Sequence, residues 1–205
     1  MKKRLSAKKI AVLMAIIALV SFGYKLTIGI LATSLVMIVA AIPALFVFVC
    51  KAAYAKNMNQ TREEKRRAYF IMAIATASFA AIFVLFSILK VGGIDITNQN
   101  RFEGWIGIIF ILFIILLFVL SIINLKKALG KEDLVLIGIK EITFMSALTD
   151  AVMIEEFLYR IITTYIDTKI IPFYDMAHNY FPLGIGILMV LIPISMFRRL
   201  FRYES

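Results

Sequence analysis

Residues 134–166 read LVLIGIKEITFMSALTDAVMIEEFLYRIITTYI, and every 20-residue window through this stretch includes at least three charged side chains. At the centre of a membrane helix an Asp, Lys or Arg costs about 2.5–3.5 kcal/mol, whereas each Leu, Ile, Val or Phe gains about 0.3–0.6 kcal/mol. Such a helix inserts only if neighbouring helices cover its polar face, or if its charges lie near its two ends. The prediction of the fold depends on what surrounds this segment.

The surrounding chain has the composition of a membrane protein. Its 205 residues are 62% hydrophobic, against roughly 45–50% in soluble domains. No linker, low-complexity tract or repeat divides the chain, which predicts a single integral membrane domain over 1–205. The basic N-terminus is followed by an apolar run that lacks a clear cleavage site, so we expect an uncleaved first span.

A membrane span requires roughly 17–25 predominantly apolar residues, which several segments provide. The segment over 182–197 is short, and the polar segment described above has to cross once for the chain to return to the same side. The sequence therefore predicts an all-α fold, a polytopic helical bundle of about six transmembrane helices. The predicted spans are 9–24, 27–50, 69–90, 105–124, 140–163 and 182–197.

Basic residues determine the predicted orientation. Most flank one side of the spans, whereas Lys25, Lys90, Arg101 and Lys169 are the basic residues assigned to the outer loops. This asymmetry predicts that both termini are cytoplasmic. The net charge of +10 is then a consequence of topology that favours anionic lipid at the inner leaflet. No pattern indicates nucleic-acid binding.

Helical geometry sorts the polar side chains of the fifth span. At about 100° per residue Asp150 points away from an arc of roughly 140° that holds the other polar groups. The members of this arc are Glu141, Glu155, Glu156, Tyr159, Arg160 and Thr163. Glu156 and Arg160 are four residues apart with the acid first, which favours an ion pair. No local residue neutralises Asp150, so it pairs with another helix, reaches solvent or is protonated.

Three interpretations of Glu155, Glu156 and Arg160 remain open. These residues lie at the outer interface, paired and in contact with water, or they line a cavity or an interhelical site, as intramembrane ionisable residues often do. In the third interpretation they form an assembly contact for a membrane protein partner or a second copy of this chain.

The string Glu155-Glu156-Phe157-Leu158-Tyr159-Arg160 resembles the E-E-x-x-x-R motif of the CAAX-protease and bacteriocin-processing family of intramembrane enzymes. The resemblance implies that Glu155 or Glu156 activates a water for peptide hydrolysis and that Arg160 holds the carboxylates. The family's F-x-x-x-H motif is matched only by the stretch from Tyr174 to His178. Its third motif requires a second histidine, and His178 is the only one in this chain.

The segment around His178 is expected to be an outer loop with exposed aromatic residues, either lying along the lipid headgroups or capping the bundle. Asp175 and His178 alone do not provide enough ligands for zinc, so neither a metal nor a cofactor is expected. The leading hypothesis is a non-enzymatic protein of a bacterial-type cytoplasmic membrane, either an accessory subunit of a membrane complex or a small transporter or channel component. The alternative is an intramembrane protease, or a degenerate relative, with Glu155, Glu156, Arg160 and His178 at its site.

Overall fold

The computed structural model is an all-α bundle, and it describes residues 2–31, 35–56, 61–93, 105–130, 133–165 and 171–204. Six helices account for nearly all of these residues. In chain order they are α1 (Lys2–Leu31), α2 (Leu35–Lys56), α3 (Arg62–Val91), α4 (Trp105–Leu129), α5 (Leu134–Tyr165) and α6 (Ile171–Glu204). The predicted helical fold is confirmed.

Three helical segments of the described chain are long and apolar enough to cross a membrane, namely Ile38–Lys56, Arg62–Val91 and Phe173–Arg202. Large apolar side chains such as Ile71, Leu85 and Leu191 point outward. Polar side chains such as Thr149 and Asp150 are buried. This distribution suits a lipid environment, where polar side chains turn towards the bundle interior.

The spacing of Thr61 and Glu64 in the sequence predicts a capping box at a helix start, and helix α3 begins with it. Thr61 is its N-cap, and its hydroxyl accepts a hydrogen bond from the Glu64 backbone N–H at 3.3 Å. The Glu64 carboxylate accepts one from the Thr61 N–H at 2.7 Å. This reciprocal capping box satisfies two backbone donors that a helix start would otherwise leave unpaired.

Helix α5 lies at the centre of the bundle, because it packs against α2, α3, α4 and α6, while α1 packs mainly on α2. Met145, Val152 and Met153 of α5 are almost completely buried. Gly138 lets α3 approach closely, since a Cβ at this position would lie 2.8 Å from the Tyr69 ring. The polar helix is therefore enclosed by its neighbours, which cover its charged side chains.

The prediction of an outer loop before the sixth span is wrong. Residues 171–181 form the first turns of α6, which continues through Pro182 and Pro193 to Glu204. Proline is tolerated inside membrane helices when neighbouring groups satisfy the freed backbone carbonyls. This helical extension brings His178 against α5.

Candidate functional site

The four acidic side chains of α5 all contact a positively charged or ionisable side chain from another helix. Glu141 pairs with Arg199 of α6, and Asp150 pairs with Lys25 of α1. Glu156 pairs with Lys90 of α3, and Glu155 contacts His178 of α6. At a rise of 1.5 Å per residue, these contacts lie at three levels separated by about 13 Å and about 8 Å along α5.

The level nearest the end of α5 is the candidate functional site, and we call Lys90, Glu155, Glu156 and His178 the histidine cluster. His178 Nδ1 lies 2.9 Å from both carboxylate oxygens of Glu155. His178 Nε2 lies 3.0 Å from Lys90 Nζ and 3.8 Å from Glu156 Oε1. Lys90 Nζ also donates a hydrogen bond to Glu156 Oε1. The imidazole thus bridges an acid on α5 and a lysine on α3.

Aromatic rings hold the imidazole from one side. The Tyr159 ring stacks on His178 with 3.7 Å between ring centroids and an interplanar angle of 10°. Its hydroxyl donates a 2.5 Å hydrogen bond to Asp175 Oδ1, and Tyr174 stacks on its ring at 5.7 Å. The Tyr159 ring is itself held by its hydrogen bond to Asp175 and by stacking with Tyr174. These contacts therefore fix the orientation of His178.

The prediction of a loop histidine is wrong, because His178 is helical and only 6% exposed. Asp175 accepts a hydrogen bond from the Tyr159 hydroxyl. The predicted Glu156–Arg160 pair involves the Arg160 side chain, which lies outside the part of the chain that the structure describes. Glu156 contacts Lys90, which the sequence analysis had assigned to an outer loop.

The middle level is a buried ion pair. Lys25 and Asp150 are 3% and 4% exposed, and their charges are in contact. Lys25 Nζ also donates to the Ser146 hydroxyl at 3.2 Å, one turn before Asp150 on α5. Of the three possibilities left open for Asp150, the structure supports the first, a partner on another helix, which is Lys25 of α1.

The third level joins three helices through one carboxylate. Arg199 Nη1 donates to Glu141 Oε1 at 2.6 Å and to the Tyr69 hydroxyl oxygen at 2.9 Å. The Tyr69 hydroxyl in turn donates to Glu141 Oε2 at 2.8 Å. Both carboxylate oxygens of Glu141 are therefore satisfied, which compensates for the burial of the charge.

The histidine cluster also contains the ligand types that metals prefer. One ligand atom from each of Glu155, Glu156 and His178 can be chosen so that all lie within 4.8 Å of one another. The Lys90 ammonium contacts both Glu156 and the Nε2 atom. A metal ion bound between Glu156 Oε1 and His178 Nε2 would therefore lie beside the positive charge of Lys90. The arrangement favours the lysine over a divalent cation at this position.

Sequence reasoning missed Lys25, Lys90, Tyr69 and Arg199 as members of these polar contacts. The available signal was the need of each α5 acid for a counter-charge, together with the few basic residues on the outer side. That signal does not specify which helix provides the partner.

Comparison of the chain with protein-family models, curated proteins and solved structures finds no match.

Proposed function

We propose that this chain is a non-enzymatic multi-pass protein of a bacterial-type cytoplasmic membrane, a small transporter or channel component or an accessory subunit of a membrane complex. In this proposal it crosses the membrane six times, with both termini cytoplasmic and anionic lipid at the inner leaflet. Its polar centre is α5. The observation that carries the proposal is the pairing of the acids of α5 with cationic or ionisable groups inside the chain.

This pairing favours the transporter or channel component over an assembly contact. An assembly site in which a partner supplies missing counter-charges requires unpaired acids, whereas Asp150 and Glu156 each contact a lysine of the same chain. Ionisable groups at membrane depth are characteristic of ion paths and proton relays. The cross-helix contacts place such groups at successive levels of one helix.

The test compares ion flux through proteoliposomes that contain the wild-type protein with flux through a charge-neutral double variant, Lys90→Met with Glu156→Gln. Removing both charges together avoids leaving one buried ion without a partner. Proton flux is followed with an internal pH-sensitive dye under an imposed pH gradient and a potassium diffusion potential. We expect the double variant to insert normally and its proton flux to be at least tenfold lower than that of the wild type.

The matched control is Lys65→Met with Asp133→Asn, which removes an ion pair whose side chains are about a quarter exposed. This control should conduct like the wild type. Equal flux through all three proteins and empty liposomes would refute a transport role. Copurification of a membrane partner that is lost only in the Lys90–Glu156 variant would instead support the accessory-subunit form.

A second candidate is an intramembrane hydrolase that resembles the CAAX-protease and bacteriocin-processing family. It is favoured by one observation: Glu155 of the E-E-x-x-x-R motif contacts His178 of the Tyr-x-x-x-His stretch across α5 and α6. In place of the second histidine, Lys90 contacts Glu156 and His178. Cleavage of a fluorogenic peptide library that is abolished by Glu155→Gln and by His178→Gln, with membrane insertion intact, would establish this activity. Absence of cleavage by the wild type would exclude it for the peptides in that library.

A further inference from the structure

The hydrogen bonds around His178 determine which ring nitrogen carries the proton. The Lys90 ammonium has donors and no acceptor. Because Lys90 Nζ lies 3.0 Å from Nε2, that nitrogen accepts through its lone pair. The hydrogen is then on Nδ1, which donates to the Glu155 carboxylate at 2.9 Å. The contacts of this arrangement require a neutral imidazole in the Nδ1–H tautomer.

We propose that His178 is a proton-binding site whose protonation breaks the contact between Lys90 and His178 and thereby loosens the last turn of α3 from α6. A proton on Nε2 replaces the acceptor by an N–H donor, so the hydrogen bond from Lys90 is lost. It also places an imidazolium 3.0 Å from an ammonium, and two like charges at this distance repel. Lys90 keeps Glu156 as its partner, whereas the link between α3 and His178 opens.

Charged and titratable groups reach the imidazole from each helix that packs around it. Lys90 of α3 presents a positive charge to the ring, whereas Glu155 and Glu156 of α5 present negative charges. The uncharged Tyr159 ring covers one face of His178, and its hydroxyl engages the Asp175 carboxylate of α6. Lys90 is the one positively charged side chain among these neighbours, so its substitution tests the proposal most directly.

The end of α3 is built so that its last turn can loosen while the rest of the helix stays packed. Lys90 is the penultimate residue of α3, and Gly92 and Gly93 follow. Gly93 has a φ of 82°, a conformation that glycine adopts readily. Earlier in α3 the contact with α6 is close, since a Cβ at Gly186 would lie 3.0 Å from the Val84 side chain. Release of Lys90 therefore concerns only the last turn.

The first test uses the fact that the chain contains a single histidine. Nitrogen-15 NMR of histidine-labelled wild-type protein in bilayers reports the protonation of both ring nitrogens of His178 without overlap. We expect the neutral Nδ1–H tautomer at neutral pH and a charged ring on acidification. An Nε2–H tautomer, or a charged ring already present at neutral pH, would overturn the proposal, and this result needs no variant to fold.

The second test compares Lys90→Met with Lys65→Met, which removes a lysine that pairs with Asp133 at the opposite end of α3. Loss of the hydrogen bond from Lys90 should shift the Nε2 nitrogen-15 resonance of His178 in Lys90→Met and leave it in place in Lys65→Met. The same Nε2 resonance in Lys90→Met and the wild type would contradict the proposal.

Hydrogen exchange of residues 88–91 tests the structural consequence. After correction for the intrinsic pH dependence of amide exchange, acidification should lower the protection factors of these amides at least fivefold in the wild type and leave those of His178→Gln unchanged. An equal loss of protection in both proteins would show that another group controls the end of α3. Nitrogen-15 NMR and hydrogen exchange do not depend on ion flux, so failure of this inference is distinguishable from failure of the proposed function.

Discussion

Removing one partner of the Lys25–Asp150 ion pair should destabilise the protein far more than removing both partners together. The two side chains are 3% and 5% exposed, and Ser146 is the additional hydrogen-bond partner of the lysine. Asp150→Asn leaves a buried ammonium without its counter-charge, and Lys25→Met leaves a buried carboxylate. Loss of one partner of a buried pair costs about 3–5 kcal/mol, whereas replacing both by uncharged groups of similar volume is close to neutral.

These values predict a coupling free energy of about 6 kcal/mol or more in a double-mutant cycle of Lys25→Met and Asp150→Asn, because both single variants lose about 3–5 kcal/mol and the double variant loses little. The free energy of unfolding is measured for the wild type, both single variants and the double variant by reversible denaturation in mixed detergent and lipid micelles. A coupling of this size changes the equilibrium constant by a factor of about 10,000 or more, since about 1.36 kcal/mol corresponds to tenfold.

The control cycle uses the Lys65–Asp133 pair, in which the side chains are 28% and 25% exposed. Exposed pairs contribute about 0.2–1 kcal/mol. Asp133→Asn preserves an oxygen that can accept the bonds from the Val135 and Leu136 N–H groups at the start of α5. If the Lys25–Asp150 coupling does not exceed that of the control, the buried pair does not hold α1 against α5, and the account of how α5 is accommodated is wrong.

Three further changes test the packing and the polar contacts through the same free energy of unfolding. Gly138→Ala should cost about 1–3 kcal/mol, because its Cβ would meet the Tyr69 ring at 2.8 Å, whereas Gly184→Ala has open space and should not destabilise. Tyr69→Phe should cost about 1–3 kcal/mol, because it removes a buried hydroxyl that links Glu141 to Arg199, and a smaller loss would show that water replaces it. Thr61→Ala should cost about 1 kcal/mol through loss of the helix cap, and Thr61→Ser should retain the stability; equal loss in both would exclude the cap as the cause.

Local patterns in the sequence predicted the features that depend on neighbouring residues. The Thr61–Glu64 capping box follows from a spacing of three residues, and its hydrogen bonds are present in the structure. The helical fold follows from long apolar segments. The polar character of α5 was also evident, because its charges can be counted without knowing the contacts of the helix.

The partners of these charges were not predictable, because they are far apart along the chain. Lys25 and Ser146 are separated by 121 positions, and Lys90 and Glu156 by 66. Helical periodicity shows which side of α5 a residue occupies, but it contains no information about which helix packs there. The error at His178 concerned an element, since a segment predicted as a loop is helical and its Tyr174, Asp175 and His178 contact Tyr159 of α5.

Cross-helix pairing also changes the meaning of the basic residues on the outer side of the proposed topology. Lys25 and Lys90 weaken the predicted charge asymmetry, since both count against a cytoplasmic excess of basic residues. In the structure these two lysines contact Asp150 and Glu156, so each neutralises a buried acid of α5. Their position then follows from the acids of that helix. Arg199, which the prediction assigns to the inner side, also pairs with an acid of α5. Subtracting all three would remove two of the four predicted outer basic residues and one inner residue, which would strengthen the predicted asymmetry.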